Sequence, residues 1–115
     1  MALGHQWRQK LPRPVVLAAV TREGEEAALL ALWQALPQPR PLLVLVPRHP
    51  QRFDEVAMLV RHQGFTMARR SRWSDTPPED ALRADIWLGD SLGEMATYYG
   101  LADVALLGGS FAPLG

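Results

Sequence analysis

Cysteine is absent from the 115 residues, and so is any net charge, because 12 basic side chains balance 12 acidic ones. The first absence excludes a disulfide framework and a thiolate metal site, and it fits a reducing compartment. The second excludes a global field that would recruit nucleic acid or an anionic membrane, so any recognition of an anion has to be local. Long apolar runs are missing too: none approaches the ~20 residues that span a bilayer. The opening Met1-Ala2-Leu3-Gly4-His5-Gln6-Trp7-Arg8 also lacks the apolar stretch of a signal peptide. Repeats and low-complexity segments are absent. The histidines His5, His49 and His62 show no metal-ligand spacing, and surface placement accounts for them.

What is present is a chain with 48% hydrophobic residues, enough for one domain with a real core. Val15 to Val20 is a continuous apolar run, too short for a helix and β-branched at its start, which predicts a buried strand. From Glu23 to Leu36, the apolar positions Leu29, Leu32, Trp33 and Leu36 recur at helical spacing, with Glu23, Glu25 and Glu26 near the positive end of the dipole. Pro41 to Val46 predicts a second buried strand, and Asp54 to Gln63 a second helix closed by Gly64. Phe65 to Arg69 is compatible with a short edge strand, and Arg70 to Ala84 with an exposed connection. Ile86 to Leu88 and Val104 to Leu107 predict further strands, separated by a short helix from Gly93 to Tyr99. Strand alternating with helix is the rhythm of a parallel α/β sheet, with the first strand central and later strands added outward. Residues 1–13 form a lead-in segment, and 14–115 the domain proper. The tryptophans Trp7, Trp33, Trp73 and Trp87 are expected to pack in the core.

Several turns of this sheet carry polar groups. Thr21 to Glu26 could hold an anion on free N–H groups, but its glutamates would repel one, which favours capping and dipole compensation. Arg48 in Pro47-Arg48-His49-Pro50 could offer a planar fork to a phosphate, with His49 a second donor, or the pair could be a solvated corner. Asp90-Ser91-Leu92-Gly93-Glu94-Met95 places a carboxylate and a hydroxyl at a strand end, where either Asp90 or Ser91 could instead cap the helix. Gly108-Gly109-Ser110 closes the last strand. All four turns would lie at the carboxyl edge of the sheet, where ligands of α/β folds bind.

In that order and spacing, Val20 to Glu26, Val46 to Phe53, Asp90 to Met95 and Ala102 to Ser110 resemble the carboxyl-terminal domain of bacterial 3-deoxy-D-manno-octulosonic acid (Kdo) transferases. The resemblance spans nearly the whole chain. Ser and His are common in the family where Val20 and Arg22 stand, and Asp90-Ser91 replaces the usual Asp-Thr. The resemblance implies part of the donor-binding domain of a GT-B glycosyltransferase, with a Rossmann-like parallel sheet, that moves Kdo from CMP-Kdo to the lipid A precursor in lipopolysaccharide assembly. It places Arg48, His49, Gly93, Glu94, Gly109 and Ser110 along the donor cleft, with backbone N–H groups of the glycine turns as sugar or phosphate contacts. The general base and the acceptor site are expected on another domain, so no catalytic residue is assigned here. The family's next motif, a second glycine pair followed by Asn and Glu, would begin near Gly115. These residues require no metal or cofactor, because a CMP donor lacks the diphosphate that usually recruits one. A parent enzyme would work at the cytoplasmic face of the bacterial inner membrane. The segment itself is expected to be soluble, inactive alone and prone to self-association. Another GT-B enzyme using a UDP-sugar, an epimerase, and a non-catalytic structural fragment remain alternative readings.

Overall fold

A computed structural model of the chain describes residues 2–109. Five strands form one wholly parallel sheet in the order β3-β4-β2-β1-β5. The strands are β1 (Val15–Thr21), β2 (Leu42–Pro47), β3 (Met67–Arg69), β4 (Ile86–Leu88) and β5 (Val104–Leu107). The helices are α1 (Ala2–Gln9), α2 (Glu25–Ala35), α3 (Phe53–His62), α4 (Glu79–Arg83) and α5 (Met95–Leu101). Short 3-10 turns at Pro50–Arg52 and Arg70–Arg72 complete the chain.

The middle strand β2 is buried along its whole length, which explains why its sequence is an unbroken apolar run rather than an alternating one. Its side chains nevertheless separate by parity. Leu42, Val44 and Val46 enter a core with Trp7, Tyr98 and Leu101, whereas Leu43 and Leu45 enter a second core with Leu30, Trp33, Val56 and Val60 on the other face. Fully burying each such side chain contributes roughly 1.5–3 kcal/mol, so the two-sided burial of β2 holds the architecture together.

The predicted strands are all present and parallel, and β1 lies inside the sheet between β2 and β5, although the middle place expected for it is taken by β2. The one reordering is that β4 inserts between β2 and β3. Ile86, Trp87 and Leu88 are fully buried, while Met67, Ala68 and Arg69 are half-buried, so the more apolar strand takes the inner position. The lead-in segment forms α1, which packs on α5. Gly4 makes this possible, since a Cβ there would lie 2.1 Å from the Thr97 carbonyl oxygen. Trp7 of α1 is completely buried and meets Trp73 and Trp87 edge-on, at centroid distances of 5.8 and 6.0 Å. The stretch expected to be an exposed connection therefore supplies Trp73 to the core and contains α4.

Candidate functional site

In a parallel sheet all carboxyl ends share one edge, and strand register decides which of the following loops meet. Thr21 pairs with Pro47, so Arg22 and Arg48 leave adjacent strands side by side. Ala19 pairs with Leu107, which brings Val20 beside Gly108. Arg69 pairs with Leu88, so the segment from Arg69 to Ser71 lies along Gly89 and Asp90.

Two buried carboxylates lock these loops. Glu25 is 1% exposed and accepts the N–H of Arg22 and the N–H of Gly109, both at 2.7 Å. Glu26 is fully buried and accepts the Thr21 hydroxyl at 2.6 Å and both Arg52 Nη atoms at 3.0 and 3.1 Å. Those hydrogen bonds raise the pKa of Arg52. Both glutamates occupy the first turn of α2, as the dipole argument anticipates, but no side-chain cap forms. Their work is to tie the β1 loop to the β5 turn and to the β2 loop.

Val20 has φ of +50°, a left-handed backbone conformation unusual for a β-branched residue, at the irregularity in β1 between Ala19 and Thr21. Its carbonyl oxygen lies where a Cβ on Gly108 would approach within 2.0 Å, so position 108 must be glycine. The Gly108 N–H donates to the Ala19 carbonyl at 2.8 Å, and the Gly109 N–H is held by Glu25. Sequence reasoning offered these amides to a ligand; the structure spends both on protein acceptors. The turn instead provides open backbone at a tight approach.

Asp90 and Ser91 do not cap α5, whose N-cap position is Glu94 without a side-chain cap. Asp90 is committed to Arg69 Nε at 2.7 Å and to the Ser71 N–H and hydroxyl at 2.8 and 2.6 Å. Glu94 receives Arg70 Nε and Nη2, both at 2.9 Å, and the Ser91 hydroxyl at 2.6 Å. Burial alone would raise the Glu94 carboxyl, yet the hydrogen bonds from Arg70 and Ser91 outweigh it and hold it below its ordinary range. Glu94 Oε1 carries two of these bonds and Oε2 one, so Oε2 keeps spare acceptor capacity. Arg70 is itself fixed by the carbonyls of Trp73 and Ser74 and lies 4.8 Å from the Trp7 ring centroid. Sequence reading missed this clamp. The available signal was an arginine ending one strand with another directly after it, and two carboxylates after the next strand.

Two cavities open at this edge and share Arg48. One, of about 140 Å³, is lined by Arg48 with Val20, Phe53, Leu92, Gly93, Glu94 and Met95. The other, of about 470 Å³, is lined by Arg22, Glu23, Arg48, His49 and Arg52. Of the residues selected from sequence, Arg48, Gly93 and Glu94 thus meet in the first cavity, and Arg48 and His49 in the second. Gly109, at φ +90°, lies under Arg22. Ser110 falls outside the described residues. Arg22, which sequence reading set aside, joins the site. Among the described residues no group of three or more His, Cys, Asp or Glu side chains could hold a metal ion.

The chain matches no family model. It is similar to the 3-deoxy-D-manno-octulosonic acid transferase of Bordetella pertussis, with 48% identity over 120 residues that cover all of this chain and 27% of the relative. The enzyme of the same name from Haemophilus influenzae is 41% identical over 111 residues, covering 95% of this chain and 25% of the relative. Among solved structures, the C-terminal CMP-Kdo binding domain of WaaA from Acinetobacter baumannii aligns with a TM-score of 0.74 and 32% identity, covering 95% of this chain and 55% of that one. The chain spans about a quarter of the length of the curated relatives it matches.

Proposed function

Because the chain is homologous along its whole length to one stretch of the Kdo transferases, we propose that it forms the donor-binding wall of such an enzyme and holds CMP-Kdo for transfer of Kdo to a lipid A precursor. The observation that carries this reading is Arg48, an exposed arginine without an ion pair among the described residues that stands between two cavities at the carboxyl edge. A nucleotide sugar has its phosphate in the middle, and this is where such a cation is useful.

As the bond between the Kdo anomeric carbon and the phosphate oxygen breaks, CMP departs with the electron pair and the charge on its phosphate grows. A planar guanidinium already in place stabilises that charge more in the transition state than in the ground state. Glu94, oriented by Arg70 and Ser91, accepts a ligand hydroxyl through Oε2, and His49 supplies a second polar contact beside Arg48. Gly93 and Gly109 keep the walls free of side chains. The acceptor and the general base come from other parts of the enzyme, in a GT-B arrangement at the cytoplasmic face of the inner membrane. No helix among the described residues is long and apolar enough to cross a membrane. Val104 on β5 is 54% exposed, which supports self-association of the isolated chain.

Competition in the full-length protein tests the reading. CMP is expected to inhibit transfer from CMP-Kdo competitively, and UDP to inhibit only at much higher concentration. Equal inhibition by UDP overturns it in favour of a UDP-sugar enzyme.

A further inference from the structure

We propose that Arg22 reads the carboxylate of the nucleotide-linked sugar acid, while Arg48 holds the phosphate that joins sugar to nucleoside. The inference deepens the donor-site reading above and rests on it.

Three observations lead here. Strand register sets Arg22 and Arg48 on adjacent chains immediately after the Thr21–Pro47 pair, and both line the same cavity. Both are exposed, and among the described residues neither has an ion pair, whereas Arg8, Arg40, Arg52, Arg69 and Arg70 each have a carboxylate partner. Two like charges held next to each other repel. A ligand with two anionic groups relieves that repulsion, and one with a single anion does so only in part. Arg52, the third cation of the cavity, is already neutralised by Glu26 and Glu55, and Glu23 is the remaining carboxylate on its wall.

Arg22 is also held in place for the task. Its N–H is fixed by Glu25 at 2.7 Å, and its carbonyl accepts the Glu25 N–H at 3.0 Å. Its guanidinium lies over Gly109, where a Cβ would sit 3.7 Å from Cζ. The side chain is thus stationed at the rim while its fork of N–H donors remains available, and a carboxylate matches that fork bidentately.

The two cavities give the ligand a direction. The smaller one, with Val20, Phe53, Leu92 and Met95, has the apolar walls a planar base requires, and the larger one is lined almost wholly by charged and polar side chains. Base, phosphate and sugar acid then follow one another from the Leu92 side, past Arg48, to Arg22.

The test compares Arg22→Ala, Arg22→Lys and Arg48→Ala in the full-length protein, using CMP-Kdo as donor and CMP as inhibitor. Arg22→Ala is expected to raise KM for CMP-Kdo roughly ten- to hundredfold, the worth of a hydrogen bond to a charged group. Its Ki for CMP should stay near that of the unaltered protein. Arg48→Ala should weaken both ligands, and Arg22→Lys should recover only part of the loss. The carboxamide analogue of CMP-Kdo should be a poor donor for the unaltered protein and no worse for Arg22→Ala. An Arg22→Ala protein that loses CMP and CMP-Kdo equally overturns the carboxylate assignment, as does one that loses neither while Arg48→Ala loses both. If CMP does not compete even in the unaltered protein, the donor-site reading falls with it. Since Arg22 is exposed, an unchanged Tm is expected to accompany the kinetic effect.

Discussion

The carboxylate of Glu25 accepts the backbone N–H of Gly109 at 2.7 Å, joining the turn after the first strand to the turn after the last. The two residues are 84 positions apart in sequence. The bond means that the glycine turn is shaped from beneath by a buried acid, and that its amide is not a free donor. The same carboxylate fixes the backbone of Arg22, so the position of one edge cation and the path of the glycine turn are set together.

Substituting Glu25→Gln keeps the size but turns one of its two acceptors into a donor facing a backbone N–H. It is expected to cost about 1–3 kcal/mol, the penalty for a buried polar group left unmatched. Hydrogen exchange at the Gly109 amide should speed up beyond that of the other turn amides. Unchanged exchange there shows that the bond does not hold the turn.

Gly108→Ala places a methyl group against the Val20 carbonyl, where backbone has to move. The expected loss of stability is roughly 1–3 kcal/mol, as for other overpacked sites. Gly93, with φ +75° but nothing within 4 Å of a Cβ, is a different case: Ala there meets backbone strain alone and should cost less. Paired denaturant titrations of the two variants check the order.

Arg48→Ala in the full-length protein should lower transfer from CMP-Kdo on the order of a hundredfold, the size of effect seen when one preorganised donor to developing charge is removed. Arg48→Lys should not restore it, because an ammonium is a point charge without the planar fork. Steady-state rates at saturating acceptor decide the matter. Full activity in the lysine variant excludes bidentate phosphate binding.

Arg70→Gln removes two hydrogen bonds from Glu94 and the stack on Trp7 and Trp73. Donor KM is expected to rise about tenfold or more, with tryptophan emission altered because the cation no longer covers the rings. Combining it with Glu94→Gln should add little further, since both act through one carboxylate. Additive losses would separate Arg70 from Glu94.

Tyr98 is 1% exposed, and burial pushes its phenol up to about 12 against an ordinary value of about 10. Its contribution to stability is complete below about pH 10, where both folded and unfolded chains are neutral at this group, and is lost as pH rises toward 12. Glu94 has the opposite sign: its lowered carboxyl stabilises the fold above the ordinary glutamate value and ceases to do so as pH falls through the folded one. Urea titrations across pH should therefore show an alkaline loss that Tyr98→Phe abolishes. They should also show an acid loss that Glu94→Gln reduces.

Much of this was legible in the chain itself. Apolar runs of strand length, such as Leu42 to Val46, and the helical spacing of Leu29, Trp33 and Leu36 reflect local periodicity, which tertiary contacts have no need to override. The parallel direction of the strands follows from the alternation of such segments. The turns that hold Arg48, His49, Gly93, Glu94 and Gly109 could be singled out because they follow strands, and the family resemblance then selected those residues within them. Reading Arg70 to Ala84 as an exposed connection failed because the residues it turns inward, half-buried Trp73 and buried Ala81 and Ala84, stand among charges and prolines with no periodic signal around them.

Sequence alone determined the strands, the helices α2, α3 and α5, the parallel sheet, and the edge at which polar turns collect, because each depends on the composition of a short window; α1 and α4 were not read from it. Only the tertiary structure decided which of those polar groups face a ligand and which face one another. Glu25 and Glu26, readable as dipole partners, became buried clamps; Asp90, readable as a cap, was consumed by Arg69 and Ser71; Arg22 and Arg48 were left without carboxylate partners among the described residues. Those outcomes depend on strand register, which brings together residues distant in sequence, and on the burial that makes each such hydrogen bond decisive. Neither quantity is written in any local stretch of the chain.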